Sequence, residues 1–145
     1  MIYIIALITG AAVIGIDQLT KAYVATNFTL ATSREFIPGI IDLTYIHNDG
    51  GAWGMLGGYT WILLSVTIII MLVCITLLLK YGSQDKLMFW AIMLVLSGGV
   101  GNMIDRIFRD GNVVDFLHFE FWPTFPVFNV ADCAIVVGVA LLLCY

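Results

Sequence analysis

Long apolar runs dominate the chain, and the polar positions between them are few and bunched. Residues 61–79, WILLSVTIIIMLVCITLLL, carry no charge, and neither do residues 87–104, LMFWAIMLVLSGGVGNMI. Each is long enough to cross the ≈ 30 Å hydrocarbon core of a bilayer as a helix. The first run, MIYIIALITGAAVIGI, lacks a basic start and continues into Asp17 rather than a cleavage site, so it predicts a retained helix and not an export signal. The last, VFNVADCAIVVGVALLLCY, predicts a fourth span with Asp132 about 8 Å inside it. The expected spans are about 2–26, 61–79, 87–106 and 127–145, in one membrane-embedded domain covering 1–145.

Between the spans the period changes. Ile41, Leu43 and Tyr45 alternate with Asp42 and Thr44, and Pro38 with Gly39 supplies a turn, which predicts a short β-hairpin lying on the membrane surface. Glycines at 50, 51, 54, 57 and 58 suit irregular backbone that lines a cavity. Tyr59 and Trp61 are placed as interfacial anchors. The segment Val113 to Pro126 carries Asp115, four Phe and Trp122, the pattern of an amphipathic surface piece that the periodicity assigns to neither helix nor strand. His118 within it is read as an interfacial residue. The expected fold class is an all-α membrane protein with four transmembrane helices, a small β element and an amphipathic surface segment.

Composition narrows the function. The chain is 61% hydrophobic and 11% charged, with a mean hydropathy of +1.03, far from a soluble domain. Its net charge of −4 and scattered Lys and Arg exclude nucleic-acid binding. Cys74, Cys133 and Cys144 show no CxxC spacing and no Cys/His cluster, so neither a disulfide nor a metal site is expected, and no cofactor is indicated. Cys133 has no His near it in sequence and reads as a packing residue rather than a nucleophile.

Charge placement then points to a site. With four spans of alternating direction, every charged residue except Lys80, Asp85 and Lys86 falls on one side of the membrane. This gathers Asp17, Lys21, Asn48, Asn102, Asp105, Arg106, Asp115, Asn129 and Asp132 around one pocket just below one face. Asp17 and Lys21 form an i, i+4 pair, equally compatible with interfacial snorkelling and with an ion pair turned into the bundle. Gly98, Gly101, Asn102 and Asp105 share one face of the third helix, where small residues permit close contact and an amide can bond across it. Arg106 reads as a snorkelling cation or a carboxylate's partner. Asp115 and Asp132 are the candidate chemistry: two carboxylates in a low-dielectric pocket cannot both ionise cheaply, so one holds a proton while the other activates water. A small transporter or channel with an intramembrane Asp site is the alternative, and a scaffold whose polar residues only glue helices is a third. One-sided charge and the lack of an internal repeat count against the transporter.

Five ordered blocks carry a resemblance: DQLTK from Asp17, NDGGAWG from Asn48, GNMIDR from Gly101, VVDF from Val113 and FNVAD from Phe128. Together they span nearly the whole chain, which resembles lipoprotein signal peptidase, the signal peptidase II family. The family's usual NxGAA reads Asn48, Asp49, Gly50, Gly51, Ala52 here. The resemblance implies an aspartic endopeptidase of the bacterial cytoplasmic membrane, with cytoplasmic termini, the β element extracytoplasmic and the site near the outer face. By motif position, Asp115 and Asp132 would be catalytic. Asn48, Asn102, Arg106 and Asn129 would line the substrate site, with Asp17, Lys21 and Asp105 in support. The substrate would be a diacylglyceryl-modified prolipoprotein, cut N-terminal to its lipidated Cys. Membrane lipid is then the other partner, with no obligate protein partner expected.

Overall fold

The computed structural model describes residues 2–51, 55–82 and 84–144. Four helices carry the fold: α1 (Ile2–Asn27), α2 (Thr60–Tyr81), α3 (Lys86–Phe108) and α4 (Val130–Leu143). Three strands, β1 (Ser33–Ile37), β2 (Ile41–Asn48) and β3 (Val113–Phe119), form one antiparallel sheet in the order β1-β2-β3. Helices α1, α2 and α3 are long and apolar enough to cross a membrane. Their exposed faces are correspondingly hydrophobic, as at Leu7, Ile8, Ile69 and Leu72. A lipid-facing helix needs no polar outer surface.

Helix α3 is the centre of the bundle, because small residues let its neighbours approach. A Cβ at Gly98 would fall on the Ala131 carbonyl oxygen, and one at Gly138 would lie 2.7 Å from the Ala91 carbonyl oxygen. The α3–α4 contact is thus nearly backbone to backbone, the geometry that small residues allow in membrane bundles. On the other side Gly10 of α1 faces Ser97 of α3. Helix α2 packs chiefly on α3, and among the described residues Cys74 is the one it buries.

The fourth helix is shorter than the sequence suggests. It begins at Val130 rather than Val127, and its 14 residues make about 21 Å, less than the hydrocarbon core. Phe128 is instead extended: it bridges Leu117 of β3, with the Phe116 and Leu117 N–H groups donating to its carbonyl at 3.0 and 2.8 Å. Asn129 then caps α4, its side chain accepting from Asp132 N while Asp132 accepts from Asn129 N. This reciprocal capping starts the helix there. Asp132 therefore lies in the first turn and not 8 Å inside.

The Pro38-Gly39 turn joins β1 to β2, with Gly39 at φ +73°. The segment beginning at Val113 is a strand, and its surface placement needs correction: Val113, Val114, Asp115 and Phe116 are buried. They are covered by β2 on one edge and Phe128 on the other, while Val24, Tyr45, Val114 and Phe116 pack as a small core against the end of α1. Only its end is peripheral, with Phe121 and Trp122 exposed and His118 beside the Pro123 carbonyl. Of the glycine-rich run, Gly51 and Gly58 have φ of +69° and +79°, which glycine alone adopts without strain. Residues 52–54, including Ala52 and Gly54, lie outside the described residues.

Candidate active site

Asp115 comes from the middle of β3 and Asp132 from the first turn of α4, and Asn129 joins them. Its Nδ2 donates to Asp115 Oδ1 at 2.6 Å, and its backbone N–H donates to Asp132 Oδ2 at 3.1 Å. Asn48, the last residue of β2, donates to Asp115 Oδ2 at 2.7 Å. Asn102 of α3 donates to Asp132 Oδ1 at 2.7 Å. All four carboxylate oxygens of the pair thus accept an N–H bond.

A second layer of charge holds this arrangement from behind. Lys21 and Asp17 are turned fully into the bundle, 2.9 Å apart and both at 0% exposure. This decides between ion pair and snorkelling. Lys21 also meets Asp105 Oδ2 at 3.3 Å and donates to Asn102 Oδ1 at 3.0 Å. Asp17 and Asp105 each grip backbone just ahead of a site carboxylate. Asp17 accepts from Ala131 N at 2.9 Å, and Asp105 accepts from Val114 N at 3.0 Å. Two non-local contacts therefore set where Asp132 and Asp115 stand.

Two participants escape sequence reasoning. Gln18 Nε2 lies 3.1 Å from Asp17 Oδ2, Asp105 Oδ1 and the Gly101 carbonyl, and so ties α1 to α3. Arg109 Nε lies 3.3 Å from Asp105 Oδ1. Gln18 sits in the DQLTK block but is adjacent to Asp17, off the i, i+4 face that picked out Lys21. Arg109 is the i+4 neighbour of Asp105, a spacing that could have found it. Arg106 makes no ion pair within 4.0 Å among the described residues; its Nη1 is 3.5 Å from the Asn102 carbonyl, and its buried Nε has no hydrogen-bond partner.

The pair opens into a cavity of about 540 Å³. Its polar end is made by Asn48, Asn102, Arg106, Asp115 and Asp132, and Phe119, Phe125, Phe128, Val136 and Val137 form an apolar wall. Val136 and Val137 are also 65% and 50% exposed on the outside of α4, so the wall continues onto the exposed apolar surface of that helix. Burial, and then the negative charge of Asp132, push the Asp115 carboxyl up to about 7, although the Asn48 and Asn129 amides and Lys21 pull the other way. A carboxyl that keeps its proton close to neutrality, beside a second carboxylate, can exchange protons with water and a leaving group. Cys133 lines the same cavity as a free thiol.

Comparison with known proteins agrees with this architecture. Residues 9–145 match the family model for signal peptidase (SPase) II. The lipoprotein signal peptidase of Bacillus pumilus is 42% identical over 141 residues, which are 97% of this chain and 88% of that protein. The lipoprotein signal peptidase of Listeria monocytogenes is 41% identical over 136 residues, 92% of this chain and 87% of that protein. A bacterial membrane enzyme solved by the in meso method at 2.3 Å superposes with a TM-score of 0.90 at 34% identity, over 96% of this chain and 85% of that one. Another, at 1.9 Å, gives 0.87 at 34% identity, over 96% and 90%.

Proposed function

The chain belongs to the signal peptidase II family, and we propose that it is an aspartic endopeptidase acting on prolipoproteins, with Asp115 and Asp132 as its catalytic pair. One observation carries this reading: two carboxylates that share Asn129 stand in a cavity whose remaining lining is largely apolar and continues onto the exposed face of α4. A peptide bond at the polar end and acyl chains along Val136 and Val137 would fill such a space together. The substrate is then a prolipoprotein whose Cys carries diacylglycerol, cut on the N-terminal side of that Cys. The protein works as one membrane-embedded domain in the bacterial cytoplasmic membrane, with the site toward the extracytoplasmic face, where an exported substrate arrives. Four cations, Lys21, Arg34, Arg106 and Arg109, lie on that side against Lys80 and Lys86 on the other, opposite to the positive-inside tendency. But Lys21 is buried in its ion pairs and Arg109 is paired with Asp105, so the count carries little weight.

The chemistry follows from one shared proton. The ionised carboxylate takes a proton from water as the water oxygen attacks the scissile carbonyl carbon. The protonated carboxyl then gives its proton to the leaving nitrogen, the C–N bond breaks, and the pair is left with one proton as before. Asn48, Asn102 and Asn129 hold the carboxylates by their amide N–H groups, and the guanidinium of Arg106, which lines the cavity, would donate to a substrate carbonyl. Acyl burial contributes roughly 0.8 kcal/mol per CH₂, so the lipid concentrates substrate at the site.

The test is incubation of purified protein with a diacylglyceryl-modified lipobox peptide and its unlipidated twin, followed by mass measurement of the products. Cleavage immediately before the modified Cys, with the unlipidated peptide cut far more slowly, is expected. No cleavage of either peptide, or equal kcat/KM for both, would sink the proposal.

A further inference from the structure

Three amides face the carboxylate pair, and an amide can present either an N–H or a carbonyl. What decides which end faces inward differs among them. Asn48 is set by backbone, because its Oδ1 accepts from Gly50 N at 3.0 Å. Asn129 is also set by backbone, because its Oδ1 accepts from Asp132 N at 2.9 Å. Asn102 lies inside α3, where the backbone N–H groups already serve the helix. Its Oδ1 instead accepts from Lys21 Nζ at 3.0 Å and Asn129 Nδ2 at 3.1 Å.

We infer that Lys21 is a positioning residue that fixes the direction of the Asn102 amide, so that Asp132 is always offered an N–H and never a carbonyl. An ammonium has three donors and no acceptor. Those of Lys21 face Asp17 Oδ2, Asp105 Oδ2 and Asn102 Oδ1, one acceptor each. Reversing Asn102 would set its NH₂ against both the ammonium and the Asn129 NH₂, two donor–donor contacts in a dry site. Lys21 thereby acts on Asp132 through one intervening side chain and keeps that carboxylate able to ionise, with the shared proton left to the pair. Without it, only Asn129 opposes reversal, and a carbonyl turned toward Asp132 would favour its protonated form. Among the described residues, the other ionisable groups next to the pair are Asp17 from α1, Arg106 from α3 and Cys133 from α4, with Asp105 behind Lys21 and His47 opposite Val114 on β2.

The role in catalysis rests on the aspartic-peptidase reading, so the test separates the two. Lys21→Met removes both the donor and the charge, Lys21→Gln restores a donor without the charge, and wild type anchors the series. Because Lys21→Met leaves Asp17 and Asp105 without their cation, both substitutions are also made in an Asp17→Asn background, which removes one buried charge while keeping an acceptor for Ala131 N. The readouts are the pH profile of lipopeptide cleavage and, independent of turnover, the carboxyl titration of ¹³C-aspartate-labelled protein by NMR. Lys21→Met is expected to lose about tenfold in kcat with KM little changed, and to shift its acid limb and the titration of the pair upward. Lys21→Gln should recover most of both. Equal behaviour of Met and Gln in both backgrounds would mean that only charge matters and would overturn the assignment, as would a wild-type titration in Lys21→Met. If wild type cleaves nothing, the peptidase reading fails, and the titration still decides the amide's direction.

Discussion

Gly98 and Gly99 are neighbours on one helix, yet the structure gives them opposite fates. A Cβ on Gly98 would fall on the Ala131 carbonyl oxygen and lie 2.7 Å from Ile135 Cγ1. The carbonyl is backbone and cannot rotate aside, so α4 must withdraw by about 1 Å to restore ordinary contact near 3.5 Å. Ala131 directly precedes Asp132, whose bond from Asn102 is 2.7 Å long; the same withdrawal would stretch it beyond hydrogen-bonding range. Gly98→Ala should therefore cost about 1–3 kcal/mol in stability, as overpacking does. It should also cost about 100-fold in kcat, as a misplacement of that size does. Gly99→Ala is the control, since its Cβ would meet Met71 Cγ and Sδ at 3.6 Å, an ordinary contact. Alanine is also the better helix former by roughly 1 kcal/mol, so Gly99→Ala should melt at or above wild type with unchanged kcat. Thermal melting of the purified variants and the kinetics of lipopeptide cleavage read both effects. Wild-type kcat in Gly98→Ala, or equal losses in the two variants, would refute the argument that close α3–α4 packing sets the position of Asp132.

Asp115→Asn and Asp132→Asn should each be nearly inactive in folded protein, and the double variant hardly worse, because residues acting as a unit are not additive; substantial turnover by either single variant would count against the pair. The rate should be bell-shaped in pH, with activity declining as the pH passes about 7 and the proton is lost from the coupled pair. Because the Asp115 carboxyl titrates near 7 when folded, against 3.8 for an unperturbed aspartate, the folded state binds the extra proton between those values. Stability should then fall as pH rises through that window and level off above it, by about 4 kcal/mol at most for this group; denaturation midpoints across pH 4–8, with Asp115→Asn showing a flatter slope, check the sign. Cys133→Ala should keep wild-type kcat despite lining the cavity, and a covalent adduct trapped on Cys133 during turnover would show a different chemistry.

The helices of this protein are legible in the chain because a bilayer leaves little choice. A run such as 61–79 has nothing to offer water, and lipid requires its backbone to bond within itself. The i, i+4 spacing likewise marks Asp17 and Lys21 as a pair. What that spacing cannot convey is burial: whether Lys21 snorkels or turns inward depends on Asp105 and Asn102, which stand more than eighty positions away. The start of α4 is hidden for a related reason. Val127 and Phe128 are as apolar as the helix that follows, and only the pairing of Phe128 with Leu117 makes them extended. The Val113 strand is ambiguous until β2 supplies its partner. Local pattern records how a segment meets lipid or water. The grip of Asp17 on Ala131 N and of Asp105 on Val114 N joins different elements of the fold, and such contacts exist only once the helices have packed.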